Sequence, residues 1–596
     1  MAISGSRHLA GPGSRGSVRW GALVVAFLVV LLYLPALGNG FVNWDDDIYV
    51  YANPQVRSMV PASLWRAFTH IHASSGNWHP LTMVSHAVDY AVWGLRPFGH
   101  HLTSILLHGW NAALVVLLAV RLLQARGHAL SKQGMLMAGM VAGLLFGLHP
   151  LHVESVAWVS ERKDLLAALF YLLGVLSYLR YAGHAAGAVG LWKDRRYLTT
   201  LLYFVLALLS KPTALSFPFV LLIIDWYPLD RLKNLRRILV EKVPFFVLDL
   251  GLATVTVLAQ RASGAFRPLD EVTLGSRVLV ATKAAALYLA KTVLPTGLLP
   301  FYSYPARVSL WSWEFGVPVV AMTAAALACL ATVKKHRAFA AVLACYGVVL
   351  LPVLGIVQIG PQAMADRYTY LPSVALVALL GAGCGVLWDR YAVAASWRKN
   401  ALAATVALLL LGLLSWQSVR QIAVWRNSET LWSRVIQYEP WNTEAHNNRA
   451  SFYYDQGEYE KALADYDAAL RGPPLLSRAH ANKRRSAYFN DRAITYVRFG
   501  RYAEALADES QAIELRPTQA SYYFNRGNIY FLTGRYPEAR DDLDRAIAAS
   551  PAPVPAYFRK RALIYRRLGM DDQALQDMER SDGTVSGPDR RPSSPR

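Results

Sequence analysis

Apolar segments long enough to cross a bilayer recur from residue 21 to residue 417 of this 596-residue chain. They fall at about 21–38, 101–123, 134–149, 164–182, 197–210, 213–228, 243–260, 277–295, 312–333, 338–357, 370–388 and 400–417. Roughly twenty helical residues span the hydrocarbon, and a backbone inside it must satisfy its own hydrogen bonds. A bundle of membrane helices is therefore the fold open to this stretch, and 54% hydrophobic against 17% charged residues agrees. The pair at 197–228 is split by Ser210-Lys211-Pro212-Thr213, leaving two short or tilted halves. Residues 1–20 carry Arg7, Arg15 and Arg19 and no acid, and 21–37 is apolar. The run is long for a signal peptide and lacks a small-residue cleavage site, so it reads as a retained first helix with its N-terminus inside.

The net charge of +21 resides largely in loops between apolar runs, which points to a membrane protein's cytoplasmic loops rather than to nucleic acid. The basic connections are 121–132, 193–196, 231–242, 334–337 and 390–399. All five lie inside only if one segment between 243 and 333 fails to cross. The segment 277–295, which ends at Pro295, reads as a re-entrant or hairpin element. This gives eleven crossings and an external C-terminal part; twelve would put 334–337 outside and the C-terminal part inside. The outer loops are then 39–100, 150–163, 210–213, 261–305 and 358–369, and every polar motif falls in them. The inner loops are basic and otherwise featureless. Cys329, Cys345 and Cys384 all sit in apolar segments, with no disulfide framework and no Cys/His metal spacing.

From about residue 419 the chain becomes water-soluble and repeats itself. Gly457, Gly500, Gly534 and Gly569 are spaced by 43, 34 and 35 residues. Each follows a small residue (Ala450, Ala493, Gly527, Ala562) and a tyrosine (Tyr453, Tyr496, Tyr530, Tyr565), and each precedes an alanine (Ala462, Ala505, Ala539, Ala574). A period of 34 with small residues where helices touch is the tetratricopeptide signature. The expected division is an N-terminal cytoplasmic tail (1–20), a membrane domain (21–418) whose first external loop is 39–100, four repeats (419–580) and a disordered tail (581–596). The fold class is all-α: a polytopic membrane bundle followed by an α-solenoid.

Asp45, Asp46 and Asp47 follow Trp44 just past the first apolar segment. Carboxylates at a lipid–water edge are costly and point to function. The residues leave two roles open: a general base for a hydroxyl acceptor, or ligands for a divalent cation, Mg2+ or Mn2+, that bridges a phosphate. The loop continues through Trp65 to His70 and Trp78-His79-Pro80, a pattern of one or two short surface helices, and His101 opens the second span. His149, His152 and Glu154 share a short stretch, but Pro150 breaks any common helix face and the zincin spacing is absent, so they read as substrate contacts. Arg162 and Lys163, at the start of a span beside Asp164, are placed to hold a lipid-borne phosphate. Lys211, in the gap between two half-length segments, wants an anion, and Asp366-Arg367-Tyr368 offers a second phosphate contact at a helix mouth.

Taken in order, Phe41-Val42 with Asp45-Asp46, His79-Pro80-Leu81-Thr82, His101-Leu102 with His108, His149-Pro150 through Leu166, Ser210-Lys211 and the repeats resemble the transmembrane-and-tetratricopeptide-repeat O-mannosyltransferases. The likeness is to their bacterial relatives in particular and covers nearly the whole chain. It implies a GT-C glycosyltransferase of inverting type, acting from a polyprenyl-phosphate sugar on the outer face. It implies catalytic acids at Asp45 and Asp46, with Asp47 an addition to the family's pair. Eukaryotic members transfer mannose from dolichyl phosphate to Ser or Thr. A bacterial relative is expected in the inner membrane, with site and repeats periplasmic, using an undecaprenyl-phosphate sugar: mannose or another hexose or pentose. Donor phosphate contacts then fall to Arg162, Lys163, Lys211 and Arg367. Substrate positioning falls to Trp44, His79, His101, His149, His152, Glu154, Asp164, Asp366 and Tyr368. The partners expected are the lipid-linked sugar, membrane lipid and an acceptor protein or peptide in the solenoid groove. The competing reading is a non-catalytic membrane-anchored scaffold for envelope assembly; polar residues gathered in outer loops, which an anchor does not need, speak against it.

Overall fold

The computed structural model describes residues 12–69, 78–127, 130–184, 191–262, 269, 271–358, 360–392, 396–473 and 478–583. The tails expected at 1–20 and 581–596 fall largely outside the described residues. Helix dominates, and one short antiparallel pairing joins β1 (Tyr302–Ser303) to β2 (Gln362–Met364). Two compact units divide the chain, one ending at Arg434 and one beginning at Val435. Composition places that boundary earlier, at 418; residues 419–434 stay with the first unit because they are bonded to the acid-bearing loop.

The first unit contains α1 (Pro12–Tyr33), α2 (Pro61–Thr69), α3 (Pro80–Trp93), α4 (Pro97–Arg126), α5 (Lys132–Gly147), α6 (Val153–Ala157), α7 (Arg162–His184), α8 (Arg195–Ser210), α9 (Phe217–Trp226), α10 (Leu235–Ala262), α11 (Leu274–Val293), α12 (Trp313–Thr332), α13 (Arg337–Leu350), α14 (Ser373–Leu387) and α15 (Trp397–Val424). Among the described residues, seven helical segments are long and apolar enough to cross a membrane, and an eighth if α5 and its continuation, bent by 52°, are one span. The shorter apolar helices are 212–226 and 337–353. Small residues let the helices close up: a Cβ on Gly147 would meet Val29 at 2.1 Å, and one on Gly381 the Ala138 carbonyl at 2.3 Å. The break between α8 and α9 lies at Lys211, which is extended, and Pro212 opens the turn that follows. The first external loop forms the two short helices expected, α2 and α3; the His70 and Asn77 that flank them lie outside the described residues.

Side-chain contacts sort the loops to two ends of the bundle. At one end Asn39 Nδ2 donates to the Ile422 carbonyl (3.2 Å), Thr82 Oγ1 to the Ser210 carbonyl (3.1 Å) and the Arg367 amide to Glu154 (3.0 Å). At the other, the Ser131 amide donates to Asp389 (2.6 Å), Arg337 to the Trp226 carbonyl (3.0 Å), and Arg126 lies over the Tyr227 ring (5.4 Å). These sets match the outer and inner loops separated by the charge count. Two expectations need correcting. Helix α11 is one uninterrupted helix, not a hairpin; Arg277 in its first turns donates to the Ile356 carbonyl (3.3 Å), and the Thr292 carbonyl near its far end meets His149 (3.0 Å). The inner loops are not featureless either. Lys242, Arg231, Asp225, Glu241 and Tyr178 form a buried network, with Lys242 to Asp225 at 2.7 Å and Arg231 to Glu241 at 2.9 Å. Charges removed from water there need partners, and the network supplies them.

The second unit is an array of antiparallel helix pairs, Thr443–Asp455 with Tyr459–Arg471, Arg478–Arg498 with Tyr502–Leu515, Ala520–Leu532 with Tyr536–Ala549, and Pro555–Arg567 with Asp571–Ser581. The four repeat glycines have φ of 70–78° and sit in the turn inside each pair, a left-handed position that side chains resist. Ala450, Ala493 and Ala562 are buried where paired helices touch. The extra residues of the first interval lengthen Arg478–Arg498, whose first turns carry Lys483 and Arg485.

Candidate active site

The site begins where the chain leaves α1. Residues 34–38 form a tight turn, and the backbone then turns sharply at Asp45, whose φ is 60°. The Asp46 amide donates to the Trp44 carbonyl across it (2.9 Å), making a γ-turn of the rare left-handed kind. For a residue with a Cβ this conformation costs about 1–2 kcal/mol, so its surroundings must impose it. Asp46 does so on one side. It is 1% exposed; Oδ2 accepts from the Val42 amide (2.9 Å) and Oδ1 from the Ser160 amide (2.9 Å) and hydroxyl. Burial pushes its carboxyl up to about 7 against the pull of these donors.

Asp45 is only partly buried. Burial raises its pKa, Lys163 and Arg367 draw it down, and Glu161 and Asp47 push it up. Around it stands a dense charge cluster. Lys211 Nζ bonds Asp164 (2.7 Å) and Glu161, Lys163 Nζ meets Glu161 (3.2 Å), and Arg367 bonds Glu154 and reaches Glu161 (3.6 Å). Aromatic faces line the cations: Lys163 over Tyr49 (4.7 Å), Arg367 over Tyr368 (4.9 Å) and Trp158 (5.3 Å). Trp44 packs against Trp432 (4.9 Å) and Phe301 (5.6 Å).

Sequence expectation and geometry part company at several residues. Lys163, Lys211 and Arg367 keep 6%, 8% and 7% of their surface, whereas Arg162 keeps none. Arg162 is spent on Asp89, Ser85 and the His100 carbonyl (2.7 Å), so it ties α7 to α3 and α4 and does not join the cluster of Lys163, Lys211 and Arg367. His149 bonds the Thr292 carbonyl (3.0 Å) and the Leu151 amide (3.2 Å); His152 bonds the Phe146 carbonyl (2.7 Å) and Ser373 (3.0 Å). With both ring nitrogens occupied, these two histidines brace the break after α5 instead of facing a substrate. His79 bonds Tyr49 (3.1 Å) from the N-cap position of α3, and burial lowers its pKa well below the usual imidazole range. His101 is buried beside the Asn39–Gly40 backbone. Asp164 accepts from Lys211 and Ser155 (3.2 Å), Asp366 accepts from Tyr302 (2.8 Å), and Tyr368 from Gln362 (2.8 Å). Burial pushes Asp366 up to about 6.

Glu161 is the residue that sequence reasoning missed. It links Lys163, Lys211 and Arg367. Its signal was a carboxylate directly before two cations at the mouth of a span. Both Asp46 oxygens are filled by N–H and O–H donors, and among the described residues no three His, Cys, Asp or Glu side chains converge.

Below the site, a cavity of about 490 Å³ runs between α4, α7, α9, α13 and α14. It is lined almost wholly by aliphatic side chains, from Leu371 and Pro372 just after the Arg367 segment to Arg126 and Tyr227 at the far end.

Fold and site together define a polytopic helical membrane protein with a buried carboxylate-and-cation site at one end of its bundle and a tetratricopeptide solenoid after it. Two tetratricopeptide-repeat family models match residues 443–471 and 490–552. A Drosophila melanogaster protein described as protein O-mannosyl-transferase Tmtc1 is 26% identical over 552 residues, covering 76% of this chain and 62% of its own. Human protein O-mannosyl-transferase TMTC1 is 26% identical over 521 residues, covering 77% of this chain and 56% of its own. Drosophila protein O-mannosyl-transferase Tmtc2 is 36% identical over 203 residues, 32% of this chain and 20% of its own. Among solved structures, the crystal structure of MamA aligns with 26% of this chain and 84% of its own at 17% identity and a TM-score of 0.23. The chain is a relative of the transmembrane-and-tetratricopeptide-repeat O-mannosyltransferases. It spans about three fifths of the length of the curated relatives it matches first.

Proposed function

We propose that this protein is an inverting membrane glycosyltransferase that moves a sugar, mannose as in its relatives' names, from a polyprenyl-phosphate donor to a protein Ser or Thr hydroxyl. The reaction takes place at the acid-turn end of the bundle, on the periplasmic face of a bacterial inner membrane. The observation that carries this reading is the contrast between the two aspartates. Asp46 is fully engaged in holding a strained turn, and the turn presents Asp45 to Lys163 and Arg367.

In the proposed reaction Asp45 takes the proton of the acceptor hydroxyl. The acceptor oxygen bonds the anomeric carbon as the bond from that carbon to the phosphate oxygen breaks. The departing lipid phosphate gains charge, which Lys163, Lys211 and Arg367 stabilise in a water-poor cavity. Glu161 and Glu154 hold these cations in position. The apolar cavity supports a donor with a long hydrocarbon tail, because its lining is almost wholly aliphatic and takes in Leu371 and Pro372, shortly after Arg367 in the chain. The repeat array offers a surface for an extended acceptor polypeptide.

The test separates chemistry from scaffolding. Asp45→Asn should lower transfer from undecaprenyl-phosphate mannose to a Ser/Thr peptide by about 10²- to 10⁴-fold with the thermal midpoint unchanged. Asp46→Asn should lower that midpoint, since an amide cannot accept from three donors at once. Full transfer by Asp45→Asn would sink the assignment and leave the scaffold reading.

A further inference from the structure

Residues 422–432 run from the last turn of α15 toward the repeats, and composition reads them as the start of the repeat domain. Their contacts are elsewhere. The Ile422 carbonyl accepts from Asn39 (3.2 Å), and the Arg426 carbonyl accepts from the Gly40 amide (2.9 Å). Ser428 Oγ accepts from the Asn43 amide (2.9 Å), and Trp432 Nε1 donates to Asn43 Oδ1 (2.8 Å). The Trp432 ring is fully buried against Trp44 at 4.9 Å. Trp425, also buried, stacks on Trp158 (5.4 Å, 19° between planes), and Trp158 Nε1 in turn donates to the Trp44 carbonyl (2.8 Å).

The hydrogen bonds from this segment land on Asn39, Gly40 and Asn43, two to six residues before Asp45. Asp46 and Ser160 hold the turn from its C-terminal side, Asp46 also accepts from the Val42 amide, and Asn43, two residues before Asp45, is held by Ser428 and Trp432. A left-handed Asp relaxes toward an extended conformation when one side of it is released, and the carboxylate would then swing away from Lys163. We infer that Ser428 and Trp432 are positioning residues for the transfer reaction: by clamping Asn43 they fix the direction in which Asp45 points. The exit segment is thus a working part of the catalytic unit. This rests on the reading of Asp45 as the base.

The experiment uses the full chain and undecaprenyl-phosphate mannose with a Ser/Thr peptide. Ser428→Ala removes the acceptor of the Asn43 amide; Ser428→Thr retains it. Trp432→Phe keeps a ring against Trp44 and loses only the indole N–H. Loosening the turn should lower kcat about tenfold in Ser428→Ala and Trp432→Phe, because displacement of a reacting group by a fraction of an ångström is felt at that scale. Donor KM should stay within twofold, since Lys163, Lys211 and Arg367 are untouched. The acid limb of the pH–rate profile should move in both variants, and Ser428→Thr should restore kcat and limb together. Wild-type kcat and pH profile in Ser428→Ala and Trp432→Phe, with Asp45→Asn inactive, would overturn the inference while leaving the function intact. Loss of kcat that tracks a lowered thermal midpoint, with no movement of the acid limb, would also overturn it and make the segment a scaffold. An active Asp45→Asn would remove both readings at once.

Discussion

Asp45 and Asp46 adjoin each other and have opposite surroundings, and the difference predicts how the reaction responds to pH. A base acts only when ionised, so with Asp45 in the proposed role transfer should fall as pH drops through its pKa. Burial raises that pKa above the ordinary carboxylate value of about 4, so the acid limb should lie higher than a free aspartate would place it. Lys163 is the strongest influence in the other direction. Lys163→Met should therefore move the limb to still higher pH as well as slow transfer; a limb that stayed put or moved down would remove Asp45 as the titrating base. The three consecutive aspartates are plain in the sequence, but which of them is free is not. That depends on Ser160, brought in from another loop. The same logic separates Arg162 from Lys211, both read from sequence as phosphate contacts. Lys211→Met should cost transfer, with loss expressed in kcat, whereas Arg162→Met leaves Asp89 buried without its cation and should cost about 3 kcal/mol of stability. A thermal midpoint in detergent, measured beside the transfer rate, distinguishes the two. With both Asp46 oxygens already occupied, transfer should also survive EDTA; loss of activity restored by Mg2+ or Mn2+ would give the acid turn a different role.

At the scale of elements, the repeat unit shows what periodicity can and cannot reveal. Glycines, small residues and tyrosines recur in register, so the helix pairs were legible. A second series recurs at the same period and does the fastening. Arg449, Arg492, Arg526 and Arg561 each grip Asp465, Asp508, Asp542 and Asp577 through two bonds of 2.7–2.9 Å. Each pair joins the two helices of one repeat. The fork geometry suits Arg, and the aspartates are buried, so removing the cation leaves an unpaired charge. Arg526→Ala should destabilise the repeat unit by about 3 kcal/mol, read as a lowered unfolding midpoint. Arg535→Ala, which breaks the exposed pair with Glu538 and a contact over the Tyr530 ring, should lower that midpoint far less. In the membrane unit, the apolar runs located the spans, but α11 was misread as a hairpin. Pro295 signalled a break correctly, yet it lies just beyond the helix end. The bend that does interrupt a span falls after α5, where His149 and His152 are spent bracing it.

For the membrane unit as a whole, the loops that the charge count groups together are the loops that contacts bring to one end of the bundle. The charge count needs one segment between 243 and 333 not to cross. The contacts give the same answer physically: α11 is tied near its start to Ile356 and near its end to His149, both at the end that carries Asp45. The last membrane helix also finishes there, since Ile422 meets Asn39. With α1 and α15 both ending at the site's end of the bundle, we expect an odd number of crossings. A reporter active only outside the cytoplasm, fused after Trp441, should therefore be active, as should one inserted in the loop after Gly94. Fusions in the loops at Lys193 and Lys335 should be silent, because those loops belong to the end where Arg126, Tyr227 and Arg337 meet. Activity at Lys335 together with silence at Trp441 would mean that α11 crosses after all. The exit segment would then lie on the opposite side of the membrane from the turn that it grips in this structure.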